Sequence, residues 1–240
     1  MHNALMLIRK ILLSIVAALA GVAVIGIVPA RGQLLSTGDI AVYNAAGTSL
    51  LGYVSDTLDS QNSLTYTANI AAALEVQIYI TGTSPISILE LNPPGPNHYV
   101  GGVGGSGGYN FASNQDGYAY LAGTALTGTG ATPTSAGNDI QSLGYNAPVE
   151  STIWSLEGDV LTAQWIDSDS TANPAVVYYD PEVNFLGLTS DLSGYNSAYG
   201  DSASAVTFEF TGPVVPEPST WAIMAAGAGV IFGLRRRRDW

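Results

Sequence analysis

The side chains of this sequence that could do chemistry are almost all carboxylates, and two of them stand close together. Asp167 and Asp169 lie in the segment "DSDSTAN", which ends at Asn173. Oxygen ligands at alternating positions suit Ca²⁺, although the segment lacks the glycine and the closing glutamate of an EF-hand loop. We therefore expect no cofactor other than a structural Ca²⁺ ion held by Asp167 and Asp169. The alternative interpretation is a solvated acidic turn.

The acids also form pairs of the kind that hydrolyse glycosides. Glu157 and Asp159 flank a glycine, and Asp167 and Asp169 form a second pair. Two carboxylates about 5–9.5 Å apart can perform this reaction. Acids beside strand ends, however, commonly bond their own backbone. His98 is the single histidine of residues 33–213, and neither a GxSxG motif nor any cysteine accompanies it. We predict that the protein is not an enzyme.

The segment "STIWSLEGDVLTAQWI" predicts a β-hairpin that positions the first acid pair and two tryptophans. Gly158 and Asp159 make a two-residue turn with glycine first, as a type II′ turn requires. Pairing across this turn places Trp154 and Trp165 on one face, as diagonal neighbours. Large aromatic side chains are mostly buried, so we expect core residues. The alternative is an aromatic platform on which sugar rings stack.

The remaining elements are predicted by hydrophobic alternation. Apolar residues alternate with polar ones in several segments, which is typical of half-buried strands: Leu64 to Ile70, Leu74 to Ile80 and Val206 to Phe210, with shorter runs near Ile40, Ile86, Tyr118 and Val176. Many short strands without a long helical pattern indicate an all-β fold. We predict a single antiparallel β-sandwich or jelly-roll-like domain, flanked by an N-terminal signal helix and a C-terminal transmembrane helix.

Two segments of this domain depart from the strand pattern. A short late helix is predicted between Ser190, as its N-terminal cap, and Gly200, as its end. Residues 101–108, "GGVGGSGG", are predicted to form a flexible loop because glycine loses much entropy in a regular element.

Charge divides the chain into a body and two ends. Of 19 acidic and 7 basic residues, 17 acids and no Lys or Arg fall in residues 33–213, since Glu217 and Asp239 lie outside that range. A body of uniform negative charge excludes nucleic acid as a partner, because phosphates must be neutralised by Lys and Arg. We predict that residues 33–213 form one strand-rich extracytoplasmic domain.

Residues 1–32 are predicted to be a secretory signal peptide. Arg9 and Lys10 precede an apolar run over residues 11–28, and small residues suited to cleavage follow at Ala30 and Gly32. The alternative is a permanent membrane anchor.

The C-terminal residues 214–240 carry three features in order. The motif consists of Val215, Pro216, Glu217, Pro218, Ser219 and Thr220. Residues 219–234 then predict a short transmembrane helix, which Arg235, Arg236, Arg237 and Arg238 follow. This cluster orients the helix with the arginines in the cytoplasm and the body outside.

This C-terminal segment resembles the PEP-CTERM sorting signal of bacteria. The resemblance implies recognition by an exosortase-type enzyme in the inner membrane and removal of the tail near Pro216, Glu217 and Pro218. It implies an intermediate anchored in the inner membrane, then delivery to the cell surface or the extracellular space, often beside exopolysaccharide. The signal does not specify what the body does.

From these observations we expect an exported surface or matrix protein with a structural or adhesive role, in contact with extracellular polysaccharide. The first alternative is a carbohydrate-binding module that uses Tyr118, Tyr120, Tyr178, Tyr179 or the tryptophans. The second is a glycoside hydrolase built on the carboxylates.

Overall fold

The predicted alternation corresponds to buried strand faces in a computed structural model, which describes residues 34–80, 85–105, 110–112, 116–140 and 147–212. Leu74, Val76 and Ile78 are buried, whereas Glu75 between them is exposed. Near the other end, Val206 and Phe208 are buried in the same way. The predicted signal helix and transmembrane helix lie outside these ranges.

The described residues contain fourteen strands, one α-helix and one 3₁₀ turn. The strands are β1 (Leu34–Asn44), β2 (Leu50–Leu58), β3 (Leu64–Thr67), β4 (Glu75–Ile80), β5 (Ile88–Glu90), β6 (Tyr99–Gly104), β7 (Tyr118–Thr124), β8 (Thr134–Ser135), β9 (Pro148–Glu150), β10 (Trp154–Glu157), β11 (Val160–Ile166), β12 (Ala172–Asp180), β13 (Phe185–Thr189) and β14 (Ser204–Phe210). The 3₁₀ turn is Ile70–Ala72 and the helix, α1, is Leu192–Tyr199.

The strands pair antiparallel throughout and form two sheets that share three strands. The first half of β1 pairs with β4 in one sheet, and its second half pairs with β14 and β2 in the other. β12 and β14 likewise divide their partners between the two sheets. The strands β14, β12, β13, β7, β6, β5, β4 and β1 follow one another, and β1 pairs with β14 again, so these pairings form a closed circuit. The prediction of an all-β antiparallel fold is confirmed.

The largest of three apolar clusters in the described residues draws side chains from both sheets. Val76 and Leu188 reach it from one sheet, and Val54, Leu161 and Phe208 reach it from the other. A core built from both sheets explains why the alternation in the sequence has one buried side and one solvated side.

The predicted hairpin forms with the predicted register. Glu157 pairs with Val160, and Trp154 pairs with Ala163. Gly158 has φ +61°, and Asp159 is absent from the positive-φ residues, which is the pattern of a type II′ turn. The register continues beyond β10, because the Gln164 amide donates a hydrogen bond to the main-chain O of Ile153 at 2.9 Å. On its other edge β11 pairs with β12, where Trp165 lies opposite Asn173.

Helix α1 forms as predicted, but a different residue caps its start. The Asp191 carboxylate accepts a hydrogen bond from the Gly194 amide at 2.9 Å, and Gly200 ends the helix with φ +73°. The predicted cap, Ser190, instead donates its hydroxyl to the main-chain O of Phe111 at 3.0 Å.

The glycine-rich segment is not the predicted loop where the structure describes it. Residues 101–104 belong to β6, whose residues pair with β7 and β9. Gly101 and Gly102 are buried, and a Cβ at either position would overlap side chains or backbone of neighbouring strands. Glycine is therefore used here for close packing, which outweighs its entropy cost.

Candidate functional site

The two tryptophans proposed as a sugar platform both lie in the core, with no exposed surface. Trp154 donates its indole N–H to the main-chain O of Val100 at 2.8 Å and stacks on Phe208, with ring centroids 6.0 Å apart. Trp165 stacks on Phe111 at 5.1 Å. Because neither ring presents a face to solvent, this arrangement fits the core interpretation and leaves no platform at Trp154 and Trp165.

Asp167 is buried and already bonded to the protein backbone. Its two carboxylate oxygens accept hydrogen bonds from the amides of Phe111 and Ala112 at 2.7 and 2.8 Å. This carboxylate therefore fastens the segment before β7 to the end of β11. Because both oxygens accept backbone hydrogen bonds, Asp167 has a structural role in the described fold.

Asp169 lies on the exposed turn that follows. Its carboxylate accepts a hydrogen bond from the Thr171 amide at 2.9 Å, and this bond holds the pKa of Asp169 below its usual value. The Asn173 side-chain amide donates to the main-chain O of Thr171 at 3.2 Å. Within the described ranges, no group of three or more His, Asp or Glu side chains could hold a metal ion. Calcium binding at Asp167 and Asp169 stays a prediction.

The two acid pairs proposed for hydrolysis lie far from each other. Glu157 and Asp159 are exposed at the hairpin tip, before β11, while Asp167 follows that strand. At about 3.3 Å per residue, Asp159 and Asp167 are separated by roughly 25 Å. The structure therefore does not bring the two pairs into one site.

A different pair of acids, which the sequence interpretation missed, is buried together. Glu90 ends β5 and is 2 % exposed, and Asp139 lies after β8 and is 5 % exposed. Asp139 Oδ1 accepts hydrogen bonds from the backbone and side-chain amides of Asn97, at 3.2 and 2.6 Å. Neither oxygen of Glu90, and not Oδ2 of Asp139, has a hydrogen-bond partner in the described structure. The Glu90–Asp139 pair therefore contains three buried carboxylate oxygens without a hydrogen-bond partner in the described structure.

Burial raises the pKa of both acids of this pair. Burial, reinforced by the negative charge of Asp139, raises the pKa of Glu90 to about 8. Burial also raises the pKa of Asp139, and the Asn97 hydrogen bonds and the nearby His98 oppose this rise. Raised pKa values are found in catalytic acids, but a general acid must reach its substrate. Glu90 and Asp139 are too deeply buried to touch a polysaccharide.

A sequence signal for Glu90 does exist. Ile86, Ile88 and Glu90 are spaced by two residues, and all three are buried on one side of the segment. An acid at the third core-facing position of such a series indicates a buried charge. No comparable signal marks Asp139, whose position depends on loop geometry.

A second buried glutamate lies at the end of β9. The Glu150 carboxylate is 1 % exposed and accepts a hydrogen bond from the Ile166 amide at 3.0 Å. Burial raises its pKa to about 8, and this hydrogen bond offsets part of the rise. Because the carboxylate is buried and bonded to a backbone amide, Glu150 has a structural role that links β9 to β11.

The tyrosines proposed for sugar binding are divided between core and surface. Tyr118 and Tyr178 are buried in an aromatic cluster beside α1. Tyr179 is half-buried, lies edge to face with Tyr66 at 4.7 Å, and donates its hydroxyl to the Asn184 side chain at 2.8 Å. Tyr120 is also half-buried, and its hydroxyl lies 3.0 Å from that of Tyr118. Tyr199, at the end of α1, is not one of the predicted residues, and it is 38 % exposed. Tyr120 and Tyr179 are therefore the predicted tyrosines whose side chains are partly exposed.

The described residues define an all-β domain with several buried acids. The chain carries the PEP-CTERM protein-sorting motif over residues 214–238, which confirms the resemblance seen in the sequence. No curated protein and no solved structure matches the chain.

The motif makes this an exported protein whose processing partner is an exosortase-type enzyme, with a membrane-anchored step before display at the cell surface. The motif residues Val215 to Thr220 and the cluster Arg235 to Arg238 lie outside the described residues, as does the predicted span 219–234. Among the residues that the structure describes, no helix has the length and apolar character needed to cross a bilayer.

Proposed function

We propose that residues 33–213 form a non-enzymatic domain with a structural or adhesive role at the cell surface or in the extracellular matrix, associated with exopolysaccharide. The observation that carries this proposal is the sorting motif at residues 214–238, attached to a body in which Glu90 and Glu150, the acids whose pKa values rise to about 8, are buried. The sorting motif delivers the body to the outside of the cell, where Glu90 and Glu150 are too deeply buried to reach a polysaccharide.

The charge of the body supports the same proposal. With 17 acids and no Lys or Arg in residues 33–213, the surface repels other copies of itself and stays hydrated. Such a surface suits a protein that lives among polysaccharide. Calcium bridges between surface carboxylates and acidic sugars would supply adhesion without a binding pocket.

The test is the distribution of the protein in cells that export it. We expect the protein to remain with the washed extracellular matrix and to be released when the polysaccharide is digested enzymatically. Deleting the gene should weaken the matrix against shear. Protein found free in the medium, with an unchanged matrix in the deletion strain, would contradict the proposal.

A separate experiment tests the proposal that the body has no hydrolase activity. The purified full chain should release no reducing sugar from the isolated matrix polysaccharide. Hydrolysis that disappears in Glu157→Gln, Asp167→Asn or Asp169→Asn would instead establish the glycoside hydrolase.

The carbohydrate-binding module remains the second candidate because Tyr120, Tyr179 and Tyr199 are partly exposed. On a glycan array, specific binding that Tyr179→Ala or Tyr199→Ala removes would favour it. Absence of binding to any glycan would exclude it.

A further inference from the structure

We propose that Glu90 and Asp139 bind one structural Ca²⁺ ion in the interior of the body. The geometric basis is a set of three buried carboxylate oxygens without hydrogen-bond partners among the described residues: both oxygens of Glu90 and Oδ2 of Asp139. Buried carboxylates in proteins are normally paired with a cation or coordinate a metal. The two acids lie on neighbouring segments, because the Glu90 amide donates a hydrogen bond to the main-chain O of His98 at 2.8 Å, and Asn97, the residue before His98, donates two hydrogen bonds to Asp139.

Among residues 33–213, His98 is the one side chain that can carry positive charge near this pair. Residues 33–213 contain neither Lys nor Arg, and His98, the single histidine of that range, is exposed. His98 interacts electrostatically with Asp139, and its main-chain O accepts a hydrogen bond from the Glu90 amide at 2.8 Å. An external cation can therefore supply the charge that the protein lacks.

The donor atoms around the pair favour calcium. A Cβ added at Gly123 would overlap Asp139 Oδ2 and come close to the main-chain O of Asn97, so a carbonyl oxygen lies beside the unpartnered carboxylate oxygen. A Cβ at Gly95 would also overlap Asp139 Oδ2. Glycine at both positions keeps the backbone close to the pair. Ca²⁺ accepts such irregular sets of carboxylate and carbonyl oxygens, whereas Mg²⁺ dehydrates reluctantly and usually keeps several waters.

This site differs from the one predicted at Asp167 and Asp169. Both Asp167 oxygens accept backbone hydrogen bonds, and Asp169 is exposed and bonded to its own turn. The Glu90–Asp139 pair supplies only two acidic side chains, which is consistent with the absence of a group of three in the described residues. Main-chain carbonyls and water would complete the coordination.

The experiment measures calcium binding and thermal unfolding of the full chain after metal removal. We expect one Ca²⁺ per chain by isothermal titration calorimetry. We also expect a saturable rise in Tm of several degrees with CaCl₂, because a ligand that binds only the folded state stabilises it. MgCl₂ at the same concentration should give no comparable rise.

Three variants locate the site. Glu90→Gln and Asp139→Asn should each weaken calcium binding by about tenfold or more and remove the rise in Tm, since each deletes a charged ligand. Asp169→Asn reports on the turn and separates the two sites. The matched control, Glu157→Gln, removes an exposed acid at the hairpin tip and should leave both measurements unchanged.

Three results would overturn the proposal. One is a calcium response that survives in Glu90→Gln and Asp139→Asn but is lost in Asp169→Asn, which would place the ion at the turn. Another is an equal response to Mg²⁺. The third is a wild-type protein indifferent to CaCl₂ while Glu90→Gln unfolds at a higher temperature, which would show that the pair holds a proton instead of a metal.

Discussion

Gly102 of β6 lies directly against the indole ring of Trp165 in β11, so closely that a Cβ at Gly102 would overlap ring atom Cζ3. On its other side Trp165 stacks on Phe111. The ring is therefore packed tightly, and the glycine-rich sequence of β6 is what makes room for it.

This contact predicts that Gly102→Ala destabilises the body by about 1–3 kcal/mol, because an extra methyl group in a packed core forces side chains and backbone to shift. The measurement is urea unfolding followed by tryptophan fluorescence. Gly128→Ala is the matched control, since the nearest atom to its added Cβ would be 3.8 Å away. Equal stability of Gly102→Ala and wild type would show that β6 is not packed against Trp165.

The same contact shows what could be predicted from the sequence and what could not. Alternation in segments such as Val206 to Phe210 predicts strands because each residue's environment repeats locally with period two. The Gly158 turn fixes the hairpin register for the same local reason. The strand at residues 101–104 depends on Trp165, more than sixty residues away, and local composition therefore predicted a loop.

The two acids of the Glu90–Asp139 pair also differ in whether a local sequence pattern predicts them. Glu90 occupies a core-facing position that its neighbours Ile86 and Ile88 mark in the sequence. Asp139 joins it only because Asn97 and Gly123 hold the loop in place through hydrogen bonds to Asp139. Asp167 was predicted as a ligand from its spacing, but the amides that occupy its oxygens belong to residues 111 and 112, which no local pattern connects to it.

Asp167→Asn should destabilise the body by about 1–3 kcal/mol. The asparagine amide retains one acceptor oxygen for two backbone amides, so one of them loses its partner. Chemical unfolding measures the change, and Asp169→Asn, on the exposed turn, should shift stability by less than about 0.5 kcal/mol. An equal loss of stability in both variants would contradict the prediction that the buried Asp167 contributes more to stability than the exposed Asp169.

Glu150 predicts a pH dependence of stability with a definite sign. Its pKa rises from 4.5 to about 8 on folding, so the folded state binds the proton more tightly. This contribution is fully present below pH 4.5 and is lost as the pH rises toward 8. Glu150→Gln, which cannot ionise, should reduce the loss of stability between pH 5 and pH 8 by at least about 1 kcal/mol.

The measurement for Glu150 is unfolding in urea at several pH values. Glu157→Gln, at the exposed hairpin tip, is the control and should keep the wild-type pH dependence. Glu90 shares this raised pKa, so part of the pH dependence should persist in Glu150→Gln. A loss of stability equal to that of the wild type would contradict the prediction for Glu150.

Trp154→Ala should cost about 3–5 kcal/mol, because it removes a fully buried indole that stacks on Phe208. Trp154→Phe should cost less, about 1–3 kcal/mol, since it keeps most of the ring but leaves the Val100 carbonyl without its donor. Thermal unfolding and glycan binding should be measured together. A folded Trp154→Ala variant of normal stability that has lost binding to a sugar would contradict the core assignment.

The central claim is that the motif at residues 214–238 delivers the body to the cell surface through an exosortase-type enzyme. The most direct test replaces Pro216, Glu217 and Pro218 by alanine and follows the protein by cell fractionation, with Glu157→Gln as a control that leaves the motif intact. We predict that the alanine variant accumulates uncleaved in the inner membrane and is missing from the surface, while the control is delivered normally. Unchanged cleavage and release of the alanine variant would contradict the account.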